Sequence, residues 1–178
     1  MNVPNIITVT RIALVPVFLV CMGAEWRVAA LVVFAVAGLS DKLDGYLARK
    51  MGQITDFGKI MDPLADKLLV LAALVCFVRE GSVAVWVVVT VLARELIIST
   101  LRTMAASTGT VLGADFSGKV KTAVQIFCVC AILTPWYMAE LWPSFTISAL
   151  AAWIIAAVTV WSGVDYLARH RALFINMK

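Results

Sequence analysis

Residues 28–69 run VAALVVFAVAGLSDKLDGYLARKMGQITDFGKIMDPLADKLL. Thirteen uncharged residues, 28–40, pass without a break into Asp41, after which charges recur at helical intervals. A helix crossing a bilayer needs about 20 apolar residues, so this run crosses only if the helix continues through its charged end. Asp41 stands 14 residues beyond Arg27, roughly 21 Å along a helix that rises about 1.5 Å per residue. The hydrocarbon core is about 30 Å thick, which leaves the carboxylate below the far membrane surface. Ionisable groups at that depth are costly, and they face a water-filled cavity or one another.

The rest of the chain repeats the pattern. Uncharged runs occupy 12–24, 28–40, 68–78, 81–93, 122–139 and 141–164, and only the last two approach spanning length unaided. With 62 % hydrophobic and 15 % charged residues in 178, the chain has more apolar surface than one small core can bury. Disordered, collagen-like and disulfide-scaffold classes are excluded by the same figures. The expectation is an all-α integral membrane protein: six transmembrane helices with a polar cavity open to the cytoplasmic leaflet, forming a single domain over 1–178. The first run lacks a small-residue cleavage site and is expected to be a retained helix.

A net charge of +4 raises nucleic acid as a partner, but the placement of the charges argues against it. Of 15 Lys and Arg, only Arg27 and Arg79 fall in the loops assigned outside; the other 13 lie at the opposite helix ends. This positive-inside distribution places both termini in the cytoplasm. Trp26, Trp136, Tyr137 and Trp142 cluster in the outer loops as an aromatic belt. Pro16 is expected to kink the first helix and Pro135 to help end the fifth. Cys21, Cys76, Cys128 and Cys130 lie in apolar runs without metal-ligand spacing and are expected to pack as small hydrophobes.

The chemistry concentrates in Ser40–Leu69. Asp41 and Asp44 are three apart and share a helix face, which Ala48 continues and Gly45 borders. Asp62 and Asp66 are four apart on the next helix, with Gly58 one turn earlier. A connection over Met51–Phe57 containing Gly52 suits an antiparallel pair, which would gather four carboxylates round one volume. Such a cluster needs cations, and oxygen donors with no His or Cys nearby select Mg²⁺, with Mn²⁺ able to substitute. Four carboxylates suit two metals clamping a diphosphate. Gly45 and Ala48 leave a shallow trough for a planar group, Gly58 does the same on the partner helix, and Arg49 reaches a phosphate on that side. Plainer readings exist: Asp62–Pro63 as a helix N-cap with Pro in the first turn, and Asp41–Lys42 and Asp66–Lys67 as interfacial charge pairs. His170, inside Arg169–His170–Arg171, is expected to be a surface charge, so no Ser-His or Cys-His nucleophile can be assembled.

The run D41-K-L-D44-G45-Y-L-A48-R49, eight residues, then G58-K-I-M-D62-P-L-A-D66 resembles the signature of the CDP-alcohol phosphotransferases, with every fixed position filled. VPNIITVTR (3–11), ARELIISTLR (93–102) and GKVKTA (118–123) resemble the phosphatidylglycerophosphate synthase branch. The resemblance implies a six-helix fold, usually homodimeric, in a bacterial inner membrane. It implies that Asp41 and Asp62 bridge two Mg²⁺ ions, that Asp44 completes the first site and Asp66 the second, and that Asp66 also serves as general base. Gly45, Arg49 and Thr55 would contact the CDP moiety of CDP-diacylglycerol, with Asn5 and Thr8 near it. Asn5, Thr8 and Arg11 fall at i, i+3 and i+6, one arc of the first helix, which agrees.

The acceptor is read from Arg94, Arg102, Lys119 and Lys121, a basic group away from the signature. It serves the positive-inside rule, and it can also bind a second phosphate; with the segment resemblances this favours sn-glycerol 3-phosphate. The alternatives are another acceptor such as inositol phosphate, or a divalent-cation transporter using the aspartates as its ion path. A transporter would more often show paired halves with broken helices, which this chain does not.

Overall fold

The structure is a computed structural model. It describes residues 3–51, 56–107, 113, 115–134 and 144–171; within these, the side chains at 3–6, 41–51, 56–60, 62, 63, 66 and 144–146 lie outside the description. All described regular structure is helical: α1 (Val3–Gly23), α2 (Arg27–Met51), α3 (Asp56–Arg79), α4 (Val85–Ser107), α5 (Phe116–Leu133) and α6 (Ser144–Arg169).

Each helix outruns its uncharged segment at the expected end. Helix α2 continues eleven residues past Ser40, α3 begins twelve residues before Leu68, and α4 passes through Arg94, Glu95 and Arg102. Two helices, Phe116–Leu133 and Ile147–Arg169, are long and apolar enough to cross a membrane; Ile7–Gly23 and Arg27–Ser40 are shorter apolar segments. The molecule is thus all-helical with membrane-spanning character. Its outward surface is also apolar, with Trp153, Phe127, Val20 and Leu150 all exposed, as suits a hydrocarbon surrounding better than water.

Helix α1 packs along α2 and α3, and α6 packs along α5 and α4; the two groups meet where α5 touches α2 and α3, and α3 touches α4. The core is built from spaced apolar stripes. Phe18 of α1 meets Phe34 of α2 with ring centroids 6.0 Å apart, and Phe77, Val91, Leu133 and Ile155 are buried around them. At one end of the bundle the turns are tight. Glu25 takes a φ of 60° between α1 and α2, and Gly81 a φ of 72° after α3. The Ser82 N–H reaches back to the Phe77 carbonyl at 2.9 Å, the closing bond of a glycine-terminated helix. Arg27 at the start of α2 pairs with Glu80 just past α3 at 2.8 Å.

Three expectations gain detail and two are corrected. Pro16 lies inside α1, which runs on to Gly23. Thr134, the residue before Pro135, caps α5 in extended conformation (φ −66°, ψ 129°), as a following proline demands. Cys21 and Cys128 are buried and Cys76 and Cys130 half-buried, all as free thiols. Asp62 is not an N-cap: α3 has already begun at Asp56, and helices in apolar surroundings tolerate an interior proline such as Pro63. His170 is not a plain surface charge. It is half-buried, its ring 4.4 Å from that of Tyr166 and its Nδ1 3.8 Å from Asp115 Oδ2.

Candidate active site

The carboxylate signature is distributed over the end of α2 and the start of α3. Asp41, Asp44, Gly45, Ala48 and Arg49 occupy the C-terminal half of α2, and Gly58, Asp62 and Asp66 the N-terminal half of α3. Their side chains lie outside the described residues, as do Thr55 and the side chain of Asn5. Ala30, Phe34 and Ala37 are buried along α2 ahead of Asp41, and Ala65, Leu69, Ala73 and Phe77 are buried along α3. Helix α1 lies against α2 and α3, and its Thr8 and Arg11 are buried.

The basic residues have two sets of partners. Arg94 and Glu95 interrupt the buried stripe Val87–Val91–Ile98 of α4. Glu95 Oε1 accepts from Lys121 Nζ at 2.6 Å and from Arg94 Nη1 at 2.9 Å, and Lys67 Nζ lies 3.5 Å from Oε2. Lys67 also donates to Ser99 Oγ, and Arg94 Nη2 donates to Ser162 Oγ of α6 at 2.7 Å. Two glycines border the Arg94 side chain: a Cβ on Gly163 would lie 3.4 Å from Arg94 Cγ, and one on Gly118 3.7 Å from Nη2. Arg102 belongs to a second group, its guanidinium 5.5 Å from the Tyr166 ring centroid and its Nη2 3.5 Å from the Gly113 carbonyl. Lys119 is exposed.

Among the candidate residues, the structure thus brings Arg94 and Lys121 together on one carboxylate and gives Arg102 partners of its own. Sequence reading missed Lys67 as an anchor for Glu95, having paired it with Asp66, and it missed Ser162, Tyr166 and the glycine notch. The only advance signal was Glu95 itself, a carboxylate within an apolar helix. Among the described residues no group of three or more His, Cys, Asp or Glu offers another metal site.

Residues 1–161 match the profile of the CDP-alcohol phosphatidyltransferase family. The chain belongs to this family. A Bacillus subtilis (strain 168) relative named CDP-diacylglycerol–glycerol-3-phosphate 3-phosphatidyltransferase is 40 % identical over 184 residues, covering 95 % of each chain. An Escherichia coli (strain K12) protein of the same name is 37 % identical over 180 residues, 96 % of each. A Mycobacterium tuberculosis (strain H37Rv) relative named probable phosphatidylglycerophosphate synthase is 37 % identical over 177 residues, 94 % of this chain and 81 % of its own. The stretch that resembles the family signature spans the end of α2 and the start of α3.

Proposed function

We propose that the protein transfers the phosphatidyl group of CDP-diacylglycerol to sn-glycerol 3-phosphate, giving phosphatidylglycerophosphate and CMP. The carrying observation is the likeness to relatives named for that reaction, 40 % and 37 % identical over 95 % and 96 % of this chain, with the signature complete.

The donor set fits a pair of hard divalent cations, because the signature on α2 and α3 supplies four carboxylates at helical spacing, with no Cys or His in the sequence from 40 to 69. Asp41 and Asp62 would help to hold both Mg²⁺ ions, with Asp44 at one site and Asp66 at the other, and the ions would supply neutralisation of the diphosphate and of charge on the departing CMP. Asp66 takes the proton from the acceptor hydroxyl as that oxygen attacks the phosphorus bearing the diacylglycerol. Gly45, Ala48 and Gly58 leave room for the nucleotide, and Arg49, Thr55, Asn5 and Thr8 hold it. Arg94, Arg102, Lys119 and Lys121 supply charge for the acceptor phosphate.

In this reading all six helices span the inner membrane of a bacterium as a homodimer, with both termini and a polar cavity on the cytoplasmic side. The apolar outward surface supports it, as does the segregation of Arg27 and Arg79 from the other basic residues. The deciding experiment is CMP release by purified protein from CDP-diacylglycerol with Mg²⁺, against glycerol 3-phosphate, glycerol and inositol phosphate. Glycerol 3-phosphate should be strongly preferred. Equal rates with glycerol would refute the acceptor assignment, and Mg²⁺ transport without CMP release would refute the enzyme.

A further inference from the structure

The helices form two packed groups, and the proposed chemistry divides between them. Helices α1, α2 and α3 carry the carboxylate signature, while α4, α5 and α6 carry Arg94, Arg102, Lys119 and Lys121. A reaction joining a donor held by one group to an acceptor held by the other requires the groups to be fixed relative to each other. Yet α3 and α4 touch only slightly.

We infer that Glu95 is a positioning residue that locks the carboxylate-bearing helices against the base-bearing ones, a reading that rests on the proposed phosphatidyl transfer. Its one carboxylate meets Lys67 of α3, Arg94 of its own helix and Lys121 of α5, and Arg94 extends the connection to Ser162 of α6. Four of the helices are tied through this point. Three members of the tie lie well inside the protein, with side-chain exposure of 13 % for Glu95, 13 % for Arg94 and 7 % for Lys121, while Lys67, the arm from α3, is 34 % exposed and 3.5 Å from the carboxylate. Away from water, charged hydrogen bonds are stiff and directional, so the arrangement resists sliding more than apolar packing does. Lys67 is the residue immediately after Asp66. A shift of α3 against α4 at Lys67 therefore moves Asp66 by nearly the same amount, and a displacement of about 1 Å at a reacting group can cost on the order of 10²-fold in rate.

The test uses the purified protein and Glu95→Gln, which keeps shape and removes charge, with Glu95→Asp and Lys67→Met as milder companions. Per folded protein, Glu95→Gln should lower kcat by about 10- to 100-fold while the KM for CDP-diacylglycerol changes less than about 3-fold. Glu95→Asp should recover most of the loss. Lys67→Met combined with Glu95→Gln should be little worse than either alone, because both remove one connection. A kcat loss that only tracks the folded fraction, or additive effects in the double variant, would overturn the inference. A readout independent of turnover accompanies these: spin labels at Leu64→Cys on α3 and Met104→Cys on α4, in a background lacking the native cysteines. Their distance distribution should broaden in Glu95→Gln and stay narrow in Glu95→Asp. An unchanged distribution in Glu95→Gln overturns the inference whatever the acceptor proves to be, whereas failure of the parent protein to make phosphatidylglycerophosphate overturns only the functional reading.

Discussion

Gly163 offers a graded perturbation of Arg94 without touching a charged residue. Its position on α6 faces the Arg94 stem, and an added Cβ would sit 3.4 Å from Cγ, an ordinary contact. Gly163→Ala should therefore be accepted, and should stabilise α6 by about 0.5–1 kcal/mol through reduced backbone freedom. Gly163→Leu places further carbons in the volume that the Arg94 stem occupies. Either Arg94 leaves or the helices separate. If Arg94 leaves, it gives up the Ser162 hydrogen bond at 2.7 Å and the Glu95 contact at 2.9 Å. Each charged hydrogen bond is worth about 1.5–3 kcal/mol. Overpacking costs about 1–3 kcal/mol, and these costs are alternatives more than addends. The net expectation is a loss of about 2–4 kcal/mol, at about 2–4 °C of melting temperature per kcal/mol for a chain of this size. Thermal melting in detergent should thus separate Leu from Ala by about 5–15 °C, with Ala at or above the parent protein. CMP release at limiting glycerol 3-phosphate should fall by about 10- to 100-fold in the Leu variant. If Gly163→Leu melts and turns over like Gly163→Ala, Arg94 does not occupy the notch and the reasoning fails.

Asp66→Asn should cut turnover by about 10²–10⁴-fold, the usual share of a general base, while CDP-diacylglycerol still binds; near-normal turnover would remove Asp66 from that role. Asp41→Asn should abolish activity together with the Mg²⁺ dependence of donor binding, and chelation of divalent cations should silence the parent protein until Mg²⁺ or Mn²⁺ is restored. Arg102→Gln and Lys119→Gln should raise the KM for glycerol 3-phosphate by roughly 10-fold with little change for CDP-diacylglycerol, and Arg49→Gln should show the reverse; identical profiles would refute the division. In a cysteine-free background, labels at Met51→Cys or Lys178→Cys should react only from the cytoplasmic side and one at Ser82→Cys only from outside, and opposite labelling at Met51 would invert the topology.

The helices were legible because apolar runs and the charges that follow them obey local rules. Residues 28–40 cannot cross a membrane alone, and the continuation of α2 to Met51 follows from that shortfall. That Asp41 and Asp44 lie within one helix and Asp62 and Asp66 within the next was legible for the same reason, since helices continue through charged ends where apolar runs fall short. Asp62–Pro63 misled because the rule placing proline in a first turn comes from chains ending in water, whereas α3 had already begun at Asp56. Partners distant in sequence were not legible. Lys121 and Glu95 are 26 residues apart and Arg27 and Glu80 are 53 apart, and no periodicity chooses among the available cations. Positive-inside placement put Arg94, Arg102, Lys119 and Lys121 at one end, but could not say that Glu95 holds two of them.

The two ends of the bundle treat charge differently, and the contrast bears on why Glu95 is there. At the turn end, Arg27 and Glu80 pair with side chains 28 % and 26 % exposed, where an ion pair contributes about 0–1 kcal/mol and needs little justification. At the other end, Lys121 and Glu95 pair with only 7 % and 13 % exposed. Withdrawing two charges that far from solvent costs several kcal/mol per ion, which their attraction only roughly offsets. Apolar side chains of similar volume would hold α4 to α5 as firmly, and Val87, Val91 and Val129 show that this bundle has such residues to hand. Stability alone therefore does not account for the buried carboxylate. Geometric definition does, because charged hydrogen bonds fix direction where aliphatic contacts slide, and one of the residues so fixed adjoins Asp66.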